Sequence, residues 1–335
     1  MPTIDIHFHV VPPRFVDALR GGVLAEAVEL DSSTGVDRLV FHAPPGVALE
    51  PDTTLRPHVR DPRIIMAAMD RRGLDAAAFS PPPELLMYWA PPELGVRIAR
   101  VMNDGMAELA RAHPDRCLPL ATLPMQDCAA AALELERAVR QLGLRGAYIC
   151  THVNGADLDA PAVIPVLAMA EQLDVPLFLH PQNAGDVTRL REHHLWNLIG
   201  FPMETATAAA RLILSGVLER FPRLNIVLAH GGGFLPYQIG RLDHGFRVRP
   251  ALRARLPKPP SAYLANVYCD SLVHNDIALR FLLERVGAGN VLLGSDYPFD
   301  MGNETPVDAI RALGLARAQE DAVLGGTLAR LLRVV

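Results

Sequence analysis

The chain has 335 residues, half of them hydrophobic, 21% charged, and a net charge of −5. That length suits one large α/β barrel as a single domain over 1–335, and the acidic balance offers no basic field for a nucleic-acid backbone. Four scattered cysteines (Cys117, Cys128, Cys150, Cys269) with no CxxC pair fit reduced thiols in a cytoplasmic protein; no secretion signal opens the chain, and no apolar run is long enough for a membrane span.

The first element, Thr3 to His9, carries Asp5-Ile6-His7-Phe8-His9. Strand side chains alternate, so His7 and His9 project from one face with Cα atoms about 6.6 Å apart, a spacing at which two imidazoles converge on one cation. Residues at about 10–60, with Pro12-Pro13, Gly21-Gly22 and Pro44-Pro45, break the regular pattern and read as an insertion after the first strand, covering the barrel mouth. Seven further β-prone runs follow: Asp75 to Ser80, Leu118 to Leu123, Gly146 to Thr151, Val175 to His180, Asn225 to His230, Asn266 to Asp270, and Val291 to Asp296. Helical spacing fills Pro92 to His113, Ala129 to Leu142, Ala162 to Leu173, Glu204 to Arg220 and Ile277 to Val286. Eight strands alternating with helices predict a (β/α)8 TIM barrel. The proline-rich stretch Pro250 to Pro260 reads as a loop before the seventh strand.

Strand five ends in His180-Pro181, strand six in His230 followed by Gly231-Gly232-Gly233, and strand eight in Asp296. The C-terminal ends of barrel strands form the catalytic face, so these residues are expected to meet His7 and His9 in one cavity. Three imidazoles and a carboxylate suit Zn2+, other imidazole-tolerant divalent ions remaining open. The expected ligands are His7, His9, His180 and Asp296, which leaves His230 beside an activated water as the base. The glycine run reads either as a tight turn that brings backbone close to the pocket or as a plain connection, and it lacks the context of a nucleotide-binding loop.

The HxH pair, the His-Pro and His-Gly-Gly-Gly strand ends and Gly294-Ser-Asp-Tyr-Pro-Phe299 resemble the amidohydrolase superfamily, in the branch containing 2-amino-3-carboxymuconate 6-semialdehyde decarboxylase. The resemblance extends through Leu55-Arg56-Pro57, Ile65 to Gly73, Met102-Asn103, Leu123 to Asp127, Phe201 to Thr205 and Leu214 to Gly216. It implies one metal ion, non-oxidative decarboxylation of a small unsaturated or aromatic-derived carboxylic acid, His230 as acid and base, and Asp296 as ligand and proton carrier. Strand four offers Tyr148, Ile149 and Cys150 but no lysine to bridge a second metal.

The resemblance further implies that Arg56 and Arg241 grip substrate carboxylates, Arg241 being donated across a homodimer; a guanidinium fork matches a carboxylate. Phe299 is the expected pocket aromatic, and His152 lies behind the site. His193 stands where the resembled decarboxylase carries an aromatic residue near its substrate, and Asn183 follows His-Pro in place of an acid, so the resemblance leaves the identity of the substrate open. The same activated water would also serve a hydrolase or hydratase acting on an amide, lactone or ring-cleavage product, and a third reading is a non-catalytic barrel stapled by its metal.

Overall fold

A computed structural model describes residues 2–47, 52–182 and 188–334. The first strand, β1 (Ile4–His9), is buried at all six positions. It pairs in parallel with β4 (Ala76–Ser80), after an antiparallel hairpin of β2 (Val28–Asp31) and β3 (Arg38–Phe41). The hairpin lies in the stretch expected as an insertion, between the helix Pro13–Arg20 and the short helix Pro57–Arg60.

A second parallel sheet contains β5 (Ala121–Thr122), β6 (Ala147–Cys150), β9 (Leu177–His180), β10 (Ile226–Leu228), β11 (Val267–Asp270) and β12 (Val291–Leu292), hydrogen-bonded in that order. Between β6 and β9 sits a small hairpin of β7 (His152–Val153) and β8 (Ala156–Asp157). Regular pairing stops at two seams, so the eight expected barrel strands form a two-stranded and a six-stranded sheet instead of one unbroken ladder. Backbone hydrogen bonds cross both seams. Ala77 and Phe79 exchange bonds with Arg116, Leu118 and Leu120, while Ile6 N–H donates to Leu293 O, Asp296 N–H to His7 O and His9 N–H to Tyr297 O.

The expected strand Leu118 to Leu123 contains Pro119, which lacks the N–H a ladder needs on the side facing β6, and only Ala121–Thr122 pair regularly, with β6, while Leu118 and Leu120 bond across the first seam to Ala77 and Phe79. At the other, β12 ends at Leu292, and the chain runs beside β1 without regular strand geometry to Asp296, which takes a left-handed φ of 58°.

The helices follow the apolar spacing closely. Pro92–Ala112 buries a stripe through Leu94, Ile98, Met102, Met106 and Leu109. Asp127 caps Cys128–Arg140 by accepting from Ala129 and Ala130 N–H, and Asn275 caps Asp276–Val286 in the same way. The expected helix Glu204 to Arg220 is two: Phe201–Leu214 ends, Gly216 takes φ 85°, and Val217–Arg220 follows. The expected loop Pro250 to Pro260 holds one short helix, Pro250–Arg253. Among the described residues no helix is long and apolar enough to cross a membrane.

Candidate metal centre

The alternation along β1 turns Ile6 and Phe8 to one side and Asp5, His7 and His9 to the other. Phe178 and His180, two residues apart on β9, and Tyr148 on β6 meet the histidines there: Tyr148 lies 5.7 Å from His9 and 5.5 Å from His180 between ring centroids, and Phe178 lies 5.0 Å from His7. The imidazole of His7 is 5.0 Å from those of His9 and His180 and 5.2 Å from that of His230. One donor atom each from His7, His180, His230 and Asp296 falls within 4.8 Å of the others, a volume the size of one ion. His9 adjoins this group, with Nε2 3.1 Å from Asp296 Oδ1.

Each buried imidazole has its outer nitrogen fixed. His7 Nδ1 donates to Asp270 Oδ2 at 2.7 Å, His9 Nδ1 to Pro81 O at 3.0 Å, and His180 Nδ1 to Pro181 O at 2.7 Å. In the neutral ring that leaves the Nε2 lone pair of all three facing inward. His7 Nε2 lies 3.0 Å from Asp296 Oδ1 but outside hydrogen-bond geometry, and His180 Nε2 is buried with no hydrogen-bond partner among the described residues. Three lone pairs aimed at the neighbourhood of one carboxylate repel one another unless a proton or a cation lies between them. The donor set therefore fits a divalent ion.

The titration of these groups follows from the same geometry. Burial holds His9 below the ordinary histidine range and drives His180 well below it, the neighbouring histidines adding to the effect on His180. Burial also disfavours a charged His7, but Asp296 and Asp270 outweigh it and push His7 up to about 10. Asp296 is held well below the carboxylate range, against the pull of burial, by the histidines His7, His230 and His9 around it. Burial pushes Asp5 up to about 7.

The turn after β10 brings His230 to the cluster through four successive left-handed residues, His230 (φ 54°), Gly231 (64°), Gly232 (75°) and Gly233 (60°). A Cβ on Gly231 would stand 2.3 Å from Val273 Cγ1, and one on Gly233 would stand 2.1 Å from Pro202 O. The glycine run is thus a tight turn at close quarters. His230 Nε2 lies 3.6 Å from Asp296 Oδ2, and its ring stacks toward Phe201 at 6.4 Å.

The remaining expected residues are spread more widely. Phe299 is half-buried with its ring 5.2 Å from that of His9. Arg56 is exposed at the start of Pro57–Arg60 and pairs with Asp52 Oδ2 at 2.7 Å. Arg241 is exposed on the helix Leu235–Val248, His152 is half-buried on β7, and His193 is exposed beside Glu192. Asn183 lies outside the described residues.

Asp270 is the polar residue that sequence reasoning left without a role. It ends β11, is fully buried, and touches His7 Nδ1 and the backbone of His230. Its signal was the one applied to Asp296, a carboxylate at the C-terminal end of an apolar strand.

The sequence pattern of the family described as Amidohydrolase matches residues 4–334. A 2-amino-3-carboxymuconate-6-semialdehyde decarboxylase of Dictyostelium discoideum is 36% identical over 268 residues, 79% of this chain and 75% of that protein. The crystal structure of 5-carboxyvanillate decarboxylase from Sphingomonas paucimobilis superposes with a TM-score of 0.82 at 31% identity, covering 99% of each chain. A dihydroxybenzoic acid decarboxylase from Polaromonas, solved with bound manganese and the inhibitor 2-nitroresorcinol, gives a TM-score of 0.78 at 25% identity, over 99% of this chain and 97% of that one.

Proposed function

The chain belongs to the amidohydrolase family and is a carboxy-lyase within it, and from that premise we propose a metal-dependent, non-oxidative decarboxylase of a small aromatic or unsaturated carboxylic acid. The observation that carries the reading is the convergence of His7, His180, His230 and Asp296 on an ion-sized volume, with His9 at its edge. The two sheets act as one eight-stranded barrel, with residues 10–60 as an insertion over its mouth. Zinc suits an imidazole-rich donor set, while the Polaromonas relative holds manganese. Metal analysis of the purified protein separates the two.

The proposed ligands are His7, His9, His180 and Asp296. A divalent ion held there supplies Lewis-acid polarisation of a substrate oxygen and lowers the pKa of a bound water. Everything else is done by this chain's side chains. Decarboxylation breaks the bond between the ring or alkene carbon and the carboxylate, leaves the electron pair on that carbon, and needs one proton in return. His230 Nε2 sits 3.6 Å from Asp296 Oδ2, so the two form a short path for that proton, His230 holding it and Asp296 passing it. Asp296 is held well below the carboxylate range, which keeps it a ligand.

Phe299, ring to ring with His9, forms one apolar wall, and Phe201 beside His180 and His230 forms another. Arg56 and Arg241 grip the carboxylates, Arg56 exchanging Asp52 for substrate. Arg241 acts across a homodimer interface: the same helix and its neighbour expose Tyr237, Ile277 and Phe281, an apolar patch that a second copy would cover. Hydrolysis at the same centre would place oxygen from water in the product, and no feature of the described residues favours it over loss of carbon dioxide.

The test is carbon dioxide release by metal-loaded protein from a panel of hydroxybenzoates, carboxyvanillate-type acids and carboxymuconate-type acids. Release from at least one, abolished by a chelator and restored by metal, is expected. No release across the panel overturns the decarboxylase reading.

A further inference from the structure

The structure points to Asp270 as the positioning residue that couples the metal to the proton-handling histidine, and we propose that one carboxylate sets both the ion's affinity and the placement of His230. This inference rests on the metal-dependent reading of the site.

Both carboxylate oxygens are occupied from the two sides of the centre. Oδ2 accepts from His7 Nδ1 at 2.7 Å and from the backbone N–H of His230 at 2.9 Å. Oδ1 accepts from Gly231 N–H at 2.7 Å and Leu272 N–H at 3.1 Å. Asp270 has no exposed surface, and the His7 ring and three backbone N–H groups surround its carboxylate. A buried anion with four donors is anchored in one orientation.

The consequences run in two directions. Toward His7, the bond fixes the ring tautomer so that Nε2 faces the cluster, and it raises the basicity of that nitrogen. Toward His230, the bonds to two successive N–H groups hold a backbone at φ 54° and 64°, a conformation that a non-glycine residue such as His230 adopts only when its surroundings impose it. Asp270 also accounts for a glycine in the strand-eight motif, since a Cβ on Gly294 would stand 2.8 Å from Asp270 Cβ and 3.2 Å from His7 Cβ. The packing of strands one, seven and eight is thus closed around this carboxylate.

Losing such an outer carboxylate typically costs 10–100-fold in metal affinity or activity. Asp270→Asn keeps the size of the group, but its amide cannot accept at all four donors. The experiment titrates wild type, D270N, H230A and the double variant D270N/H230A with the purified protein's own metal against a chromogenic chelator, alongside carbon dioxide release. D270N is expected to weaken metal binding about 10–100-fold, and equally in the H230A background, because that effect runs through His7. Activity at saturating metal is expected to fall in D270N and to fall no further in the double variant than in H230A, because that effect runs through His230. Unchanged metal affinity in a folded D270N, or activity losses that multiply in the double variant, would overturn the proposal.

Where D270N does not fold, wild-type holoenzyme serves. A strongly downfield imidazole N–H proton, lost in His7→Gln, is expected from the bond to Asp270, and its absence counts against the proposal. A wild type that binds no divalent ion overturns the metal reading itself and is distinguishable from all of these.

Discussion

Stripping the ion with a chelator and raising the pH from 6.5 to 8.5 is expected to destabilise the metal-free protein, while the metal-loaded protein stays level. His7 is pushed up to about 10 in the metal-free fold, from an ordinary value of 6.5. The native state therefore binds a proton that the unfolded chain has released, and stability falls with rising pH between those two values. Asp5, pushed up to about 7 from 3.8, acts in the same sense: the native acid keeps a proton across a range in which the unfolded acid has lost it. For His7 the loss between pH 6.5 and 8.5 is on the order of 2 kcal/mol, since each pH unit crossed with one extra native proton removes about 1.4 kcal/mol. Spread over the unfolding entropy of a 335-residue chain, about 2.1 cal/mol/K per residue, this lowers the melting temperature by about 3 °C. The ion takes the proton's place in the loaded protein, which removes that dependence, so binding releases about one proton and strengthens about tenfold per pH unit in this range. Differential scanning fluorimetry of chelated and loaded samples across the window measures both. A chelated protein whose melting temperature is flat or rises, or a His7→Gln variant with the full dependence, refutes the reasoning.

His230→Ala is expected to keep its metal and lose roughly 10²–10⁴-fold in kcat, whereas His9→Ala loses metal; elemental analysis that finds the reverse exchanges the roles of the two histidines. Gly233→Ala places a Cβ 2.1 Å from Pro202 O at φ 60° and is expected to cost at least about 2 kcal/mol, which an unchanged urea midpoint would contradict.

The parts of the site that follow from local periodicity were legible in the sequence. His7 and His9 share a face because a strand alternates, and His180, His230 and Asp296 close apolar strands at the end where barrels place their chemistry. Asp270 obeyed the same rule without standing out, because its partners, a ring nitrogen from β1 and two backbone N–H groups beyond β10, are far away in sequence. The two seams were legible only in part. Pro119 announces a short strand, but nothing local announces the left-handed turn at Asp296, where residues 293–297 run hydrogen-bonded beside β1. Arg56 and Arg241 mark the other limit, since an exposed arginine carries no periodic signature and its expected role came from resemblance alone.

Three glycines share one physical role around the centre. Gly231 and Gly233 in the turn after β10 and Gly294 after β12 come from two places in the chain, yet at each a methyl group would collide with a neighbour around the same cluster: Val273, Pro202 and Asp270. Chain turns could have been built with more room. Close backbone approach at these glycines accompanies the meeting of nitrogen and oxygen donors from β1, β9, the turn after β10 and the segment after β12 within 4.8 Å. Crowding of uncompensated lone pairs opposes that meeting in the metal-free protein, where the proton on His7 relieves it only partly. A divalent ion is the group that turns the same crowding into attraction. Gly294→Ala, whose Cβ would stand 2.8 Å from Asp270 Cβ, should weaken metal binding in a chelator titration before it lowers the urea midpoint of the fold.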